Sequence, residues 1–313
     1  MGKTLVDLKI SQDVILRGRL YEPESNLIKG IVIIVHGMAE HIDRYDSFMQ
    51  KLCDNNYIVI GYNQRGHYQT IVDYKDYGFI SELDGFDYLL NDLSNVFKQI
   101  KDKHPKLPIF IFGHSMGSFI AQRFGQLFST KVNGLILCGT GVNNNLMLRT
   151  ARLLSKCIIK VKGPRHKSKI LDKMTFGSYN KNFKPNRTNF DWLNTIDSEV
   201  DKYVEDKYCG GIFSAAFFRD FFSMLITINN NNELISKDIP ILLVSGKDDP
   251  VGNMGKSVNK LYNEYIRLKI KDVNMKLYEG RHEILQDIEK EIIINDIILW
   301  LDMHLIENEV SDL

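Results

Sequence analysis

The sequence predicts an α/β fold, a mostly parallel sheet with helices on both faces, interrupted by a helical insertion. Three observations predict it. Short β-branched and apolar runs, such as residues 30–35, alternate with longer stretches whose apolar residues recur at helical spacing. That alternation stops after residue 138 and resumes at residue 239, the pattern of two βα blocks around an insertion. The run Ile109-Phe110-Ile111-Phe112 leads through Gly113-His114-Ser115-Met116-Gly117 directly into a helical stretch, placing a serine between glycines at the end of a strand. The expected division is a core domain of residues 1–142 and 238–313 and a helical cap of residues 143–237.

Taken in order, residues 5–10 and 14–21 read as an antiparallel hairpin joined by Ser11-Gln12-Asp13. Residues 30–35 form a strand buried on both faces, ending at His36-Gly37. A helix over 46–55 and a strand over 57–62 follow. The long helix over 83–102 places Leu89, Leu93, Val96, Phe97 and Ile100 on one face. The serine strand over 109–112 follows. The helix over 116–128 has apolar spacing through Phe119, Ile120, Phe124 and Leu127, and residues 132–138 make the next strand. After the insertion come a strand over 239–245, a helix over 253–268, a strand over 273–278 and a closing helix over 287–305.

The insertion contains no convincing buried strand. Its first helix, 146–160, sets Leu146, Met147, Ala151, Leu154, Cys157 and Ile158 on one face and Arg149, Arg152, Lys156 and Lys160 on the other. The basic run continues through Lys162, Arg165, Lys167, Lys169 and Lys173. It reads either as a solvated face or as a patch for transient contact with anionic membrane headgroups. Further on, Phe213, Phe217, Phe218, Phe221 and Phe222 crowd into ten residues. They either line an apolar substrate tunnel or weld the insertion to the sheet domain.

Composition narrows the functional class. Residues number 313 and 44% are hydrophobic, enough for a large buried core. The net charge of +1 gives no overall drive toward nucleic acid. Cys53, Cys138, Cys157 and Cys209 are scattered, without Cys-x-x-Cys or zinc spacing, so neither a disulfide framework nor a metal is expected and a reducing compartment fits. The start, Met1-Gly2-Lys3-Thr4-Leu5-Val6-Asp7, lacks secretory and myristoylation signals, and no apolar run is long enough to span a bilayer. A soluble cytoplasmic protein is expected. The glycine-rich stretches lack dinucleotide and P-loop spacing, so no cofactor is expected.

A serine nucleophile needs a base, and the base needs an acid to fix its tautomer. The strand ending in Val244 runs into Ser245-Gly246-Lys247-Asp248-Asp249-Pro250, and Asp249, just before the chain turns to the next helix, is the acid chosen; Asp248 is left to solvent or a helix cap. The next strand leads into Glu279-Gly280-Arg281-His282-Glu283, which makes His282 the base. The order Ser, Asp, His is that of the α/β-hydrolases. An oxyanion hole needs two backbone N–H donors, expected from Met116, directly after the serine, and Met38, in the loop after His36-Gly37.

The segment His36-Gly37-Met38-Ala39-Glu40-His41 with Arg44-Tyr45 resembles the oxyanion segment of the monoacylglycerol lipase and lysophospholipase branch of the α/β-hydrolase superfamily, grouped with serine aminopeptidase-like hydrolases. Residues 113–118, 246–251 and 281–283, with Phe190-Asp191-Trp192-Leu193, resemble its other signatures. The resemblance implies an eight-stranded sheet, a helical cap over the serine, and ester hydrolysis of single-acyl lipids through an acyl-enzyme. Two stretches depart from the branch: Asn63-Gln64-Arg65-Gly66-His67-Tyr68 replaces its usual Asp-x-x-Gly-His-Gly, and Ile42-Asp43 a common Ser-Gly. Alternatives are a general carboxylesterase and a proline-type aminopeptidase, the latter needing cap carboxylates such as Asp191, Asp197 or Glu199 to hold a free α-amine. Serine at the nucleophile position disfavours a dehalogenase, and a complete triad disfavours a non-catalytic binding module.

Overall fold

The computed structural model describes residues 2–25 and 27–310. Eight strands among them form one sheet in the order β1-β2-β4-β3-β5-β6-β7-β8. β1 (Gly2–Lys9) and β2 (Ile15–Glu22) make the antiparallel hairpin, in register from Gly2 opposite Glu22 to Lys9 opposite Ile15. β2 also runs antiparallel to β4 (Tyr57–Tyr62). From β4 through β3 (Gly30–Val35), β5 (Ile109–His114), β6 (Gly134–Cys138), β7 (Ile241–Gly246) and β8 (Val273–Tyr278) every pairing is parallel.

The continuous apolar runs follow from burial on both faces. In β3, Ile31, Ile33 and Val35 point into one core, and Val32 and Ile34 point into the other. In β5, Ile109 and Ile111 face the first core while Phe110 and Phe112 face the second. Each such fully buried side chain contributes roughly 1.5–3 kcal/mol against exposure, so both sides of these strands must be covered. α2 (Gly85–Lys103), α3 (Met116–Phe128) and α8 (Lys256–Arg267) cover the first face. α1 (Asp46–Asp54) and α9 (Lys290–Val310) cover the second, the latter with Ile293, Ile294, Ile297, Trp300 and Leu301.

Between β6 and β7 the chain runs through α4 (Asn145–Lys162), α5 (Lys169–Phe176), α6 (Asp197–Glu205) and α7 (Ala215–Asn229), none of which adds a strand to the sheet. α4 departs from its expected orientation. The buried residues are Leu148, Ala151 and Ser155, while Leu146, Met147, Leu154 and Cys157 are exposed. Small side chains at 151 and 155 give α4 a close seat on α7, and the larger residues are turned outward. The start of α8 also differs from the expected 253: Asn253 and Met254 take φ 51° and Gly255 φ 75°, so a left-handed turn delays the helix to Lys256.

Candidate active site

Ser115 occupies the single residue between β5 and α3, with φ 51° and ψ −120°. A non-glycine residue there is strained, a state that persists when its surroundings fix it. The flanking glycines show how. A Cβ at Gly117 would drive into the Val35 carbonyl, and one at Gly113 would meet the Gly117 carbonyl, so the turn closes only without side chains there. The Ser115 N–H donates to the Cys138 carbonyl at 2.9 Å, tying the turn to β6.

Asp249 lies in the turn after β7 and is fully buried. Its Oδ1 accepts from the Val251 N–H at 2.8 Å and its Oδ2 from the Ser245 hydroxyl at 3.0 Å. His282, in the turn after β8, places Nδ1 3.0 Å from both carboxylate oxygens. Burial pushes the Asp249 carboxyl up, but the charge and hydrogen bond of His282, with the Val251 and Ser245 donors, outweigh it and hold the group below its usual range. With Nδ1–H donated to an ionised carboxylate, Nε2 is the lone-pair nitrogen of the ring. Trp192 stands against the ring with centroids 5.2 Å apart.

The loop after β3 passes beside the serine: a Cβ on Gly37 would lie 3.2 Å from that of Ser115. Neither the Met38 nor the Met116 backbone N–H donates to a protein acceptor among the described residues. The loop is held by charges whose pairing the sequence does not reveal. Glu40 Oε1 accepts from the Gly37 N–H at 2.5 Å, the Tyr45 hydroxyl at 2.8 Å and His114 Nδ1 at 3.0 Å. His114 Nε2 faces the His282 carbonyl at 3.2 Å. Both partners of His114 are acceptors, an arrangement that suits a ring protonated on both nitrogens. Burial opposes its charge, and the bond to Glu40 and the Glu40 charge override burial and raise its pKa. Burial likewise opposes charge on Glu40, and His114 with Arg44 outweighs it and holds the carboxyl low. Arg44 completes the set, donating to Glu283 Oε2 at 2.6 Å and standing 3.7 Å from Glu40 Oε2. Through these contacts Glu40, His114, Arg44 and Glu283 tie the loop after β3, the serine strand and the His282 turn together. A sequence signal for them exists, charged residues inside motifs otherwise built for backbone turns, but it does not say which pairs meet.

Ser115, His282 and Met38 open into one cavity of about 480 Å³, also lined by Trp192, Phe190 and Phe213. Of the five phenylalanines read as tunnel lining or as weld, Phe213 alone lines this cavity. Phe217, Phe218 and Phe221 are buried in α7, with Phe217 and Phe221 packed on Phe86 of α2 at 5.3 and 5.5 Å between centroids. Those three join insertion to core, because α7 is apolar around most of its circumference and lies between two layers. The carboxylates considered for an amine are elsewhere. Asp191 accepts from Arg187 and Thr188, Asp197 pairs with Arg187, and Glu199 pairs with Lys202.

Both departures from the branch pattern acquire contacts. Asn63 Oδ1 accepts from the Ile42 N–H at 3.0 Å, and Ile42 fills the space over Gly61, where a Cβ would strike it. Tyr68, at φ 36°, stacks on His41 with centroids 4.3 Å apart. His41 in turn bonds Asp206 at 2.8 Å, and with Cys209 these make the one cluster of metal-ligand type among the described residues. Arg44 reaches Cys209 Sγ at 4.0 Å.

Known proteins match this chain over most of its length. The family model described as Hydrolase_4, serine aminopeptidase, S33, matches residues 27–289. A monoacylglycerol lipase of Mycolicibacterium smegmatis is 24% identical over 281 residues, covering 88% of this chain and 89% of its own length. The mouse monoglyceride lipase is 23% identical, covering 90% and 85%. Among solved structures, a thermostable carboxyl esterase from Bacillus coagulans in complex with glycerol superposes with a TM-score of 0.89 at 24% identity, over 97% of this chain and 99% of its own. A soluble variant of the Saccharomyces cerevisiae monoglyceride lipase gives 0.74 at 19%, over 97% and 96%. At these identities the solved structures share the α/β-hydrolase fold.

Proposed function

The chain belongs to the Hydrolase_4 (serine aminopeptidase, S33) family of α/β-hydrolases, and we propose that it cleaves single-acyl lipids, monoacylglycerols or lysophospholipids, through a Ser115 acyl-enzyme. The observation that carries this reading is the shared cavity, in which a strained serine and an aspartate-bound histidine open under aromatic cap residues. Ser115 Oγ attacks the ester carbonyl while His282 Nε2 takes its proton. The oxyanion is received by the Met38 and Met116 N–H groups, and the alcohol leaves with the proton from His282. Water then attacks the acyl-enzyme by the same route and releases the fatty acid. The names of the relatives, monoacylglycerol lipase and monoglyceride lipase, support the choice of lipid over peptide.

The outward stripe of α4 supports a lipid surface as the place of work. Leu146 (74% exposed), Leu153 (63%) and Val161 (80%) follow one another along the helix, flanked by Arg149, Lys156 and Lys160. Apolar side chains rimmed by cations suit an anionic bilayer. No helix among the described residues is long and apolar enough to cross a membrane. Four free thiols suit a reducing compartment such as the cytoplasm.

Fatty-acid release from 1-monoacylglycerols of graded chain length, in neutral and in anionic vesicles, tests both parts. Turnover is expected, several-fold faster on anionic vesicles. Silence on every lipid in protein that still labels with a fluorophosphonate would remove the substrate class, and equal rates on both vesicles would remove the docking face.

Glu40 acts in this reading as a positioning residue for the loop that carries Met38. Glu40→Gln keeps the shape but loses the charge that balances His114 and Arg44, and a side-chain N–H2 then faces donors. With the Gly37 N–H freed, the Met38 donor is set less well, and kcat is expected to fall by about 10- to 100-fold with KM little changed. A rise in KM at constant kcat would place Glu40 in substrate binding instead.

A further inference from the structure

Within the cavity that holds Ser115 and His282, most charged groups are already matched. Glu40, Glu283 and His114 belong to the buried network with Arg44. Two lining charges are not: Asp172 and Lys173, consecutive on α5, have no side-chain hydrogen bond or ion pair among the described residues. Successive helical residues point about 100° apart, so the two do not neutralise each other. Asp172 is half-buried, and the same cavity is lined by Phe176 and Trp192, whose rings stack with centroids 6.1 Å apart. Lys173 lies exposed on the cavity's lining.

Burial lifts the Asp172 carboxyl to about 6, with no neighbouring cation to lower it. A carboxylate left without a cation in a cavity with an aromatic lining is complementary to an ammonium group, which gains from both. A free lysine on the same wall is complementary to phosphate. A neutral glycerol headgroup would leave both charges uncompensated, whereas a headgroup carrying phosphate and ammonium on a short bridge answers both.

Resting on the lipid-hydrolase reading above, we propose that this cavity selects a zwitterionic lysophospholipid headgroup, Asp172 taking its ammonium and Lys173 its phosphate. The specificity is then a ratio, kcat/KM for 1-acyl-lysophosphatidylcholine over that for the 1-monoacylglycerol of the same chain.

Measuring this ratio for wild type, Asp172→Asn and Lys173→Gln tests the assignment. Each substitution is expected to lower it by about tenfold. Lysophosphatidic acid, which has the phosphate without the ammonium, separates the two roles. Relative to lysophosphatidylcholine it should improve in Asp172→Asn, and relative to monoacylglycerol it should worsen in Lys173→Gln. Ratios within twofold of wild type in both variants would overturn the assignment. So would a wild type that hydrolyses monoacylglycerol but not lysophosphatidylcholine, and that result leaves the ester-hydrolase reading standing. Release of fatty acid from neither lipid overturns both.

Discussion

Replacing Ser115 with alanine is expected to lower kcat on a monoacylglycerol by about 10⁵- to 10⁶-fold in a protein that remains folded. In the proposed mechanism the Ser115 hydroxyl is the attacking atom, and the neighbouring Ser118 spends its own hydroxyl on the Ser115 carbonyl at 2.6 Å. Removing one oxygen disturbs little else. The backbone at φ 51° is fixed by the glycines around it and by the bond to Cys138, both untouched by the change. Thermal unfolding should therefore move little while fluorophosphonate labelling disappears. The oxyanion donors remain, so a residual rate of order 10³ above the uncatalysed one is expected. A variant that kept more than about a hundredth of wild-type turnover would show that another nucleophile does the chemistry.

That serine was legible because its environment is written locally. A strand buried on both faces must be apolar at every position, as in Ile31 to Val35 and Ile109 to Phe112, and a turn this tight must have glycine where backbones touch, as at 113 and 117. Asp249 and His282 were legible for a related reason: each follows a parallel strand, and such strands end on one edge of the sheet. The insertion was less legible because its helices choose partners by fit as well as by periodicity. Periodicity puts most apolar residues of α4 on one face, and it does not say that the helix turns to bury Leu148 with the small residues Ala151 and Ser155 instead. Phe217, Phe218 and Phe221 look the same whether they meet substrate or Phe86. Least legible was the network of Glu40, Arg44, His114 and Glu283, in which Arg44 and its partner Glu283 are 239 residues apart and whose charges are tolerated only because the fold brings all four together.

The choice between two adjacent carboxylates gives a second large effect. Asp249→Asn is expected to lower kcat by about 10⁴-fold, and Asp248→Asn to stay within about twofold of wild type. Asp249 is buried with both oxygens 3.0 Å from His282 Nδ1, whereas the neighbouring Asp248 is exposed and is held through its backbone N–H to the Gly280 carbonyl. In the asparagine variant the remaining carbonyl can serve the Val251 N–H or the Ser245 hydroxyl, and the new N–H2 then points at His282. A donor opposite Nδ1–H favours the tautomer with its proton on Nε2, and that nitrogen then lacks the lone pair that the proposed mechanism needs to take the Ser115 proton. KM should change little, because neither carboxylate lines the cavity. The pair of variants therefore separates tautomer control from general charge: both remove one negative charge from the same turn, and only one removes the acceptor that orients the base. Equal losses in the two would mean that the turn's net charge matters and that His282 is oriented by something else.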